Sequence, residues 1–304
     1  MDRRRFVTAA GVGTGLAAFA PRPTRAAEPT DAKLRQLGKT SLKIALQPGM
    51  FRGMPFLEAL DQIAAHGFPA FESLGEPRGA SLDDVKRKMD QTGLAWSCIG
   101  GVGGIGKPGG RDYAFGDEAN HEQLEQRFRE RVETAKKMGI KRILITLGQK
   151  HPDMTQDQQT AIVVKGIKRL APIAAEAGVT IAAEMLNILV NHPGYFLVYT
   201  PHGVEIVQAV NSPNVKLTYD IYHQQISEGH LISNITKNIQ HIAHFHIGDN
   251  PGRQYPGTGE INYRNVFKAI LQTKYDGFLA MECGYGDKKP IEIMQIMRDL
   301  TMFG

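Results

Sequence analysis

Eight short apolar runs, each followed by a helix-like pattern, fill residues 37–304 and predict an α/β chain folded as a single (β/α)8 barrel. Three observations carry this prediction. Strand and helix signals alternate without a break, which is the signature of a parallel sheet. The chain of 304 residues is long enough for a barrel, which needs about 250. Finally, four consecutive strand-like runs each end in a side chain of metal-ligand type. On an open sheet these would be strung out at ~4.8 Å per strand, whereas a closed ring lets them converge.

The elements follow in order. Leu42 to Gln47 reads as the first strand, with a helix near Phe56 to His66. Ala70 to Leu74 is the second, followed by a helix near Leu82 to Thr92, and Leu94 to Gly100 is the third. Glu118 to Met138 is a strongly patterned helix: Leu124, Phe128, Val132, Ala135 and Met138 recur at steps of 4, 4, 3 and 3. Arg142 to Leu147 is the fourth strand, with a helix over Gln156 to Ala177. The fifth to eighth strands run through Thr180–Glu184, Lys216–Asp220, His241–Ile247 and Phe278–Glu282. Their helices are expected near His202 to Val210, His230 to Ile239, Tyr263 to Thr273 and Ile291 to Met302.

The second half holds the chemistry. Glu184, Asp220, His246 and Glu282 are separated by 36, 26 and 36 residues, close to the roughly 30 residues of one βα unit. Each therefore arrives at the same end of the sheet, where α/β folds build their sites. Two glutamates, an aspartate and a histidine are a donor set for one hard or borderline divalent cation, with Mg, Mn or Co ahead of Zn. His244, in phase with His246 one layer deeper, reads as a packed, hydrogen-bonded core histidine. Beyond the His241–Ile247 strand, Asn-Pro-Gly and Pro-Gly-Thr-Gly turn signals make a loop that carries Arg253 and Glu260. Arg253 is a candidate clamp for a substrate carboxylate, which a guanidinium grips bidentately. His223, three residues past Asp220, is expected in a loop as a substrate-contacting group. Glu260 is a candidate substrate-site partner of Arg253 or a histidine, or a residue that structures the loop.

Several function classes are disfavoured. The net charge of +5 is concentrated in residues 1–26, which hold five Arg and one Asp. The remainder carries about +1, which argues against a nucleic-acid partner. Gly101-Val-Gly103-Gly-Ile-Gly106 matches a dinucleotide-binding pattern. However, Lys107-Pro-Gly-Gly follows where a helix should begin, so the stretch reads as a flexible loop that could cover the site. Cys98 and Cys283 are too few for a disulfide framework and are expected as free, mostly buried thiols.

The N-terminus has its own pattern. Arg3-Arg4-Arg5-Phe6-Val7, a mild apolar run to Ala20 and Thr24-Arg25-Ala26 look like a twin-arginine-type signal peptide over 1–26, with a linker over 27–36. The expected location is periplasmic, without stable membrane insertion, since the apolar run is too short and Gly-rich to span a bilayer.

At these residues the chain resembles the xylose-isomerase-like TIM barrels, and within them the hydroxypyruvate isomerase family. The resemblance lies in Glu184 with Asn187, Pro193-Gly-Tyr-Phe-Leu197, Asp220-Ile-Tyr-His223, Asp249-Asn-Pro-Gly-Arg253, Pro256-Gly-Thr-Gly-Glu-Ile-Asn262 and Glu282. Pro55-Phe-Leu-Glu58 and Ala65-His-Gly-Phe68 extend it to the first half, so that it covers roughly residues 42–303. It implies one divalent metal on Glu184, Asp220, His246 and Glu282, acid/base work by Glu184 and Glu282, and a dimeric or tetrameric assembly. The implied activity is aldose–ketose isomerisation of a small hydroxy-keto acid or sugar. His246 departs from the Gln often found there in hydroxypyruvate isomerases and is common in ketose 3-epimerases, which makes epimerisation the alternative. A third reading is an exported binding protein that keeps the metal site without turnover.

Overall fold

The computed structural model describes residues 42–104 and 112–303. The expected signal peptide (1–26) and linker (27–36) lie outside the described residues, as does the end of the glycine stretch from 105. Among the described residues, nine parallel strands form one sheet: β1 (Lys43–Leu46), β2 (Ala70–Phe71), β3 (Ala95–Trp96), β4 (Ile99–Gly104), β5 (Arg142–Leu147), β6 (Thr180–Glu184), β7 (Val215–Asp220), β8 (Ile242–Ile247) and β9 (Phe278–Met281). Their spatial order is β3-β2-β1-β9-β8-β7-β6-β5-β4. The two ends of this order, β3 and β4, are halves of the one strand expected from Leu94 to Gly100. Ser97 and Cys98 join them, and the Ser97 N–H to Phe71 carbonyl bond (2.9 Å) and the Gly100 N–H to Leu74 carbonyl bond (2.9 Å) carry the pairing across the break. The ring is therefore the (β/α)8 barrel, closed through the chain itself.

The helices among the described residues are α1 (Phe56–Ala65), α2 (Leu82–Thr92), α3 (His121–Met138), α4 (Gln156–Ala177), α5 (Thr200–Val210), α6 (Ile221–Ser227), α7 (Leu231–Asn238), α8 (Tyr263–Gln272) and α9 (Pro290–Thr301). Their ends follow local chemistry. Thr155 and Gln158 form a reciprocal capping box at the start of α4, and Gly178 ends it in the left-handed region. Leu124, Phe128, Val132, Ala135 and Met138 are the buried face of α3, as their spacing predicts. Among the described residues no helix is long and apolar enough to cross a membrane. Cys98 is a free, buried thiol, and Cys283 is free and half-buried.

Two expectations change. Gly101–Gly104 is strand rather than loop: Val102, Gly103 and Gly104 pair with Ile145, Thr146 and Leu147. Gly103 sits at φ +99, and a Cβ there would meet the Thr146 carbonyl oxygen at 1.9 Å. Only glycine lets β4 approach β5 so closely. Gly103, one glycine of the dinucleotide-like pattern, is thus a strand-packing residue. The second change is α6, a short helix directly after β7 that places His223 on a helix and not in a loop.

One irregularity bears on the site. Between β7 and β8 the register slips: Leu217 pairs with Ile242, but Thr218 pairs with His244 and Asp220 with His246. Ala243 is the extra residue, and its carbonyl accepts bonds from Arg142 Nε (2.8 Å) and the Tyr275 hydroxyl (2.7 Å). The bulge sets His244 and His246 level with Thr218 and Asp220.

Candidate metal centre

Glu184 ends β6, Asp220 ends β7, His246 is the penultimate residue of β8, and Glu282 directly follows β9. One ligand-type atom from each lies within 4.8 Å of all the others. His246 Nδ1 is 2.7 Å from Glu184 Oε1 and 3.0 Å from Glu282 Oε2. The four residues predicted from strand-end phase thus meet at one point of the barrel mouth.

Asp220 divides its carboxylate between two tasks. Oδ1 caps α6 by accepting the Tyr222 N–H (2.8 Å) and His223 N–H (3.1 Å). Oδ2 is buried and makes no hydrogen bond, with Arg253 Nη2 and His223 Nε2 standing off at 3.5 Å each. A buried carboxylate oxygen without a partner is costly unless a cation faces it.

Electrostatics points the same way. Burial pushes the Glu184 carboxyl up to about 7, although His246 pulls against it. Burial also raises Glu282, but His246 and Arg253 outweigh it and hold that carboxyl at about 2. His246 is raised well above the ordinary histidine value, because Glu282, Glu72 and Glu184 more than offset its burial. Four carboxylates, those of Glu72, Glu184, Asp220 and Glu282, thus share one imidazole and one guanidinium. The oxygen-rich donor set, its convergence and the unpartnered Asp220 oxygen fit a divalent cation.

Arg253 reaches the centre from the β8–α8 loop. Its Nη2 lies 2.9 Å from Glu282 Oε2 and 3.5 Å from Asp220 Oδ2, and its guanidinium stacks over the Tyr222 ring at 5.4 Å. Asp249 builds the loop that carries it. Asp249 Oδ2 accepts the Gly257 and Gly259 N–H groups (2.8 and 3.0 Å), and Oδ1 accepts those of Asn250 and Ile261 (2.9 and 3.2 Å). Gly259 has no room for a side chain, since a Cβ would lie 2.1 Å from the Asn250 carbonyl oxygen. Asp249→Ala removes the acceptor of all four bonds, so an unfolding free energy lower by about 3 kcal/mol is expected in urea denaturation. A loss below about 1 kcal/mol would mean that the loop holds itself by other contacts.

His223 is fully buried beside the centre. Its Nδ1 accepts the Asn187 side-chain N–H at 2.6 Å, which places the ring proton on Nε2. That nitrogen has no hydrogen-bond partner and lies 3.5 Å from Asp220 Oδ2. Burial lowers the His223 pKa to about 4, so the ring is neutral at physiological pH. Asn187 is in turn fixed by accepting the Val190 N–H at 2.9 Å.

Glu260 is not brought to the centre. It is exposed, and its carboxylate accepts from Asn250 Nδ2 (2.7 Å) and Gln225 Nε2 (3.2 Å). These contacts match the loop-structuring alternative rather than a substrate contact. His244 is buried and hydrogen-bonded, with Nε2 2.7 Å from Glu72 Oε2. Glu72 itself was missed, although it follows β2 at the same barrel end as the four ligands. The available signal was a lone acidic residue inside an apolar run. Beside the centre, a cleft of about 500 Å³ opens over the ends of β1 and β2, lined in part by Gln47, Phe51, Phe56, Glu72 and Leu74.

The family description "Xylose isomerase-like TIM barrel" matches residues 60–300. Among curated proteins, the chain is 28% identical over 233 residues to hydroxypyruvate isomerase of Escherichia coli K12, covering 77% of this chain and 89% of that one. It is 30% identical over 235 residues to 2-oxo-tetronate isomerase of Cupriavidus necator, covering 77% and 88%. Among solved structures, a family 2 AP endonuclease of Brucella melitensis superposes with a TM-score of 0.73 at 26% identity, covering 82% of this chain and 95% of that one.

Proposed function

The chain belongs to the xylose isomerase-like TIM barrel family, and on that premise we propose that it is a metal-dependent isomerase of a small hydroxy-keto acid. The observation that carries the reading is the meeting of Glu184 and Glu282 with Asp220 and His246, one ligand-type atom of each lying within 4.8 Å of all the others. The relatives named for hydroxypyruvate and 2-oxo-tetronate isomerisation support a substrate with a carboxylate close to its ketone.

Glu184, Asp220, His246 and Glu282 would hold the cation. When bound, it supplies Lewis-acid polarisation of the substrate carbonyl and the neighbouring hydroxyl. Glu282, whose carboxylate faces Arg253 Nη2 at 2.9 Å, takes the proton from the hydroxyl-bearing carbon at a carboxylate oxygen. Glu282 returns that proton to the adjacent carbon and is itself restored to the carboxylate, while the hydroxyl proton passes to the former carbonyl oxygen. His223 Nε2–H would donate to a substrate oxygen, and its neutral ring adds no charge to the rim. Arg253 clamps the carboxylate through the guanidinium that faces Glu282 and Asp220.

Epimerisation is the second reading, favoured by His246 and by a glutamate on each side of the centre. It follows if Glu184 returns a proton to the opposite face of the same carbon. A panel of hydroxy-keto acids and ketoses in D2O, followed by NMR with added divalent metal, separates the outcomes. The isomerase reading expects deuterium at the carbon beside the carbonyl together with an isomerised product. An epimer as product favours the second reading, and no exchange with any compound would favour a binding protein. Arg253→Lys keeps the charge but loses the two-pronged geometry, so KM for the carboxylate substrate is expected to rise about tenfold, with kcat changed less. An unchanged KM in steady-state assays would remove Arg253 from the clamp.

A further inference from the structure

We propose that Glu72 is a positioning residue for the metal centre: its carboxylate accepts a hydrogen bond from His246 Nε2–H and so holds the Nδ1 lone pair toward Glu184, Asp220 and Glu282. This rests on the reading that those residues hold a cation with His246.

The argument begins with the two ring nitrogens. A histidine that binds a metal does so as the neutral ring, with its one proton on the other nitrogen, and that proton needs an acceptor. His246 Nδ1 is the nitrogen that faces the carboxylates, at 2.7 Å from Glu184 and 3.0 Å from Glu282. The proton therefore belongs on Nε2. Glu72 Oε1 lies 3.1 Å from Nε2. Both atoms are buried, and neither has an aligned hydrogen bond to any group. A small rotation of the ring or the carboxylate satisfies both at once.

Glu72 is itself held in place. Its other oxygen, Oε2, accepts the Ser97 hydroxyl at 2.9 Å and faces His244 Nε2 at 2.7 Å. The His244 and His246 rings meet edge to face with centroids 5.1 Å apart. Ser97 joins β3 to β4, and His244 lies on β8, so the carboxylate is fixed from two sides of the barrel. Cys98, the remaining polar neighbour in this cluster, is pushed far above the ordinary thiol range by burial and stays protonated. It offers no competing charge.

A purely structural cross-barrel tie is the rival account, and metal affinity separates the two. Isothermal titration of the full chain with Mn2+ should show Glu72→Gln weakening the Kd by roughly 10–100-fold. If Glu72 acts through His246, the double variant Glu72→Gln/His246→Gln binds Mn2+ no more weakly than His246→Gln alone. An unchanged Kd in Glu72→Gln, or losses that simply add, would overturn the proposal. Should Glu72→Gln fail to fold, 15N-histidine NMR of the wild-type protein loaded with Zn2+ still decides. A proton on His246 Nε2 and none on Nδ1 is expected, and the opposite tautomer overturns the assignment. If the wild-type protein binds no divalent cation by titration, the metal-dependent reading falls and this inference with it. If the wild type binds and Glu72→Gln is indistinguishable from it, this inference alone fails.

Discussion

Glu282→Gln is expected to lower the rate of solvent-deuterium exchange by roughly a thousandfold, within the range of general acid–base catalysis. Gln has nearly the same shape and can keep one oxygen toward the centre, so the cavity and the β9 end should survive. What disappears is the base. Glu282 stays ionised because Arg253 Nη2 lies 2.9 Å from its Oε2, and an amide in its place neither takes a proton nor balances that guanidinium. The same change also removes a charged metal ligand, so the assay has to be run at saturating metal, with metal content measured alongside. A variant that holds its metal yet exchanges at a rate within tenfold of wild type would move the base elsewhere, with Glu184 the next candidate.

Metal removal should have the second large effect, on stability as well as activity. Stripping with EDTA is expected to abolish exchange and to lower the melting temperature by roughly 5–10 °C. That range follows from about 2.7 kcal/mol of linkage at a hundredfold excess over Kd and roughly 2–4 °C per kcal/mol for a large domain. The physical reason is the crowding of Glu184, Asp220 and Glu282 around too few positive partners. The effect should grow with pH. Burial raises the Glu184 carboxyl from 4.5 to about 7 in the folded, metal-free chain, so its protonated form stabilises the fold. That contribution is present below about pH 4.5 and is lost as pH rises through about 7. A bound dication replaces the proton, so the gap in melting temperature between loaded and stripped protein should be wider at pH 8 than at pH 6. Glu282 has the opposite sign, contributing stability above 4.5 that fades as pH falls toward 2, outside this window. Equal melting temperatures for loaded and stripped protein at both pH values would argue that the carboxylates are satisfied without a cation.

Much of this was legible in the residue order because it is periodic and local. Apolar spacing marks α3 and α4, and caps such as Thr155 and Gly178 mark where α4 begins and ends. The metal quartet was legible for a related reason. Strand length fixes which residue stands at a strand's end, and one βα unit after another returns the chain to the same end of the sheet. Once the ring is closed, Glu184, Asp220, His246 and Glu282 have to approach one another.

The remainder depends on closure in three dimensions. Gly101–Gly104 has the composition of a loop, and only the tight approach of β5 makes it a strand. His223 was expected in a loop because the Asp220 cap that starts α6 comes from a side chain that also reads as a metal ligand. Glu260 looked like a site residue in the chain, but the turn held by Asp249 carries it outward to Asn250 and Gln225. Glu72 is the clearest case, because its partner His244 lies 172 residues away. No local pattern encodes a contact of that span: the sequence by itself set which side chains reach the barrel mouth, and the tertiary structure decided which of them converge on the candidate metal centre, which support it from below, and which turn away to solvent.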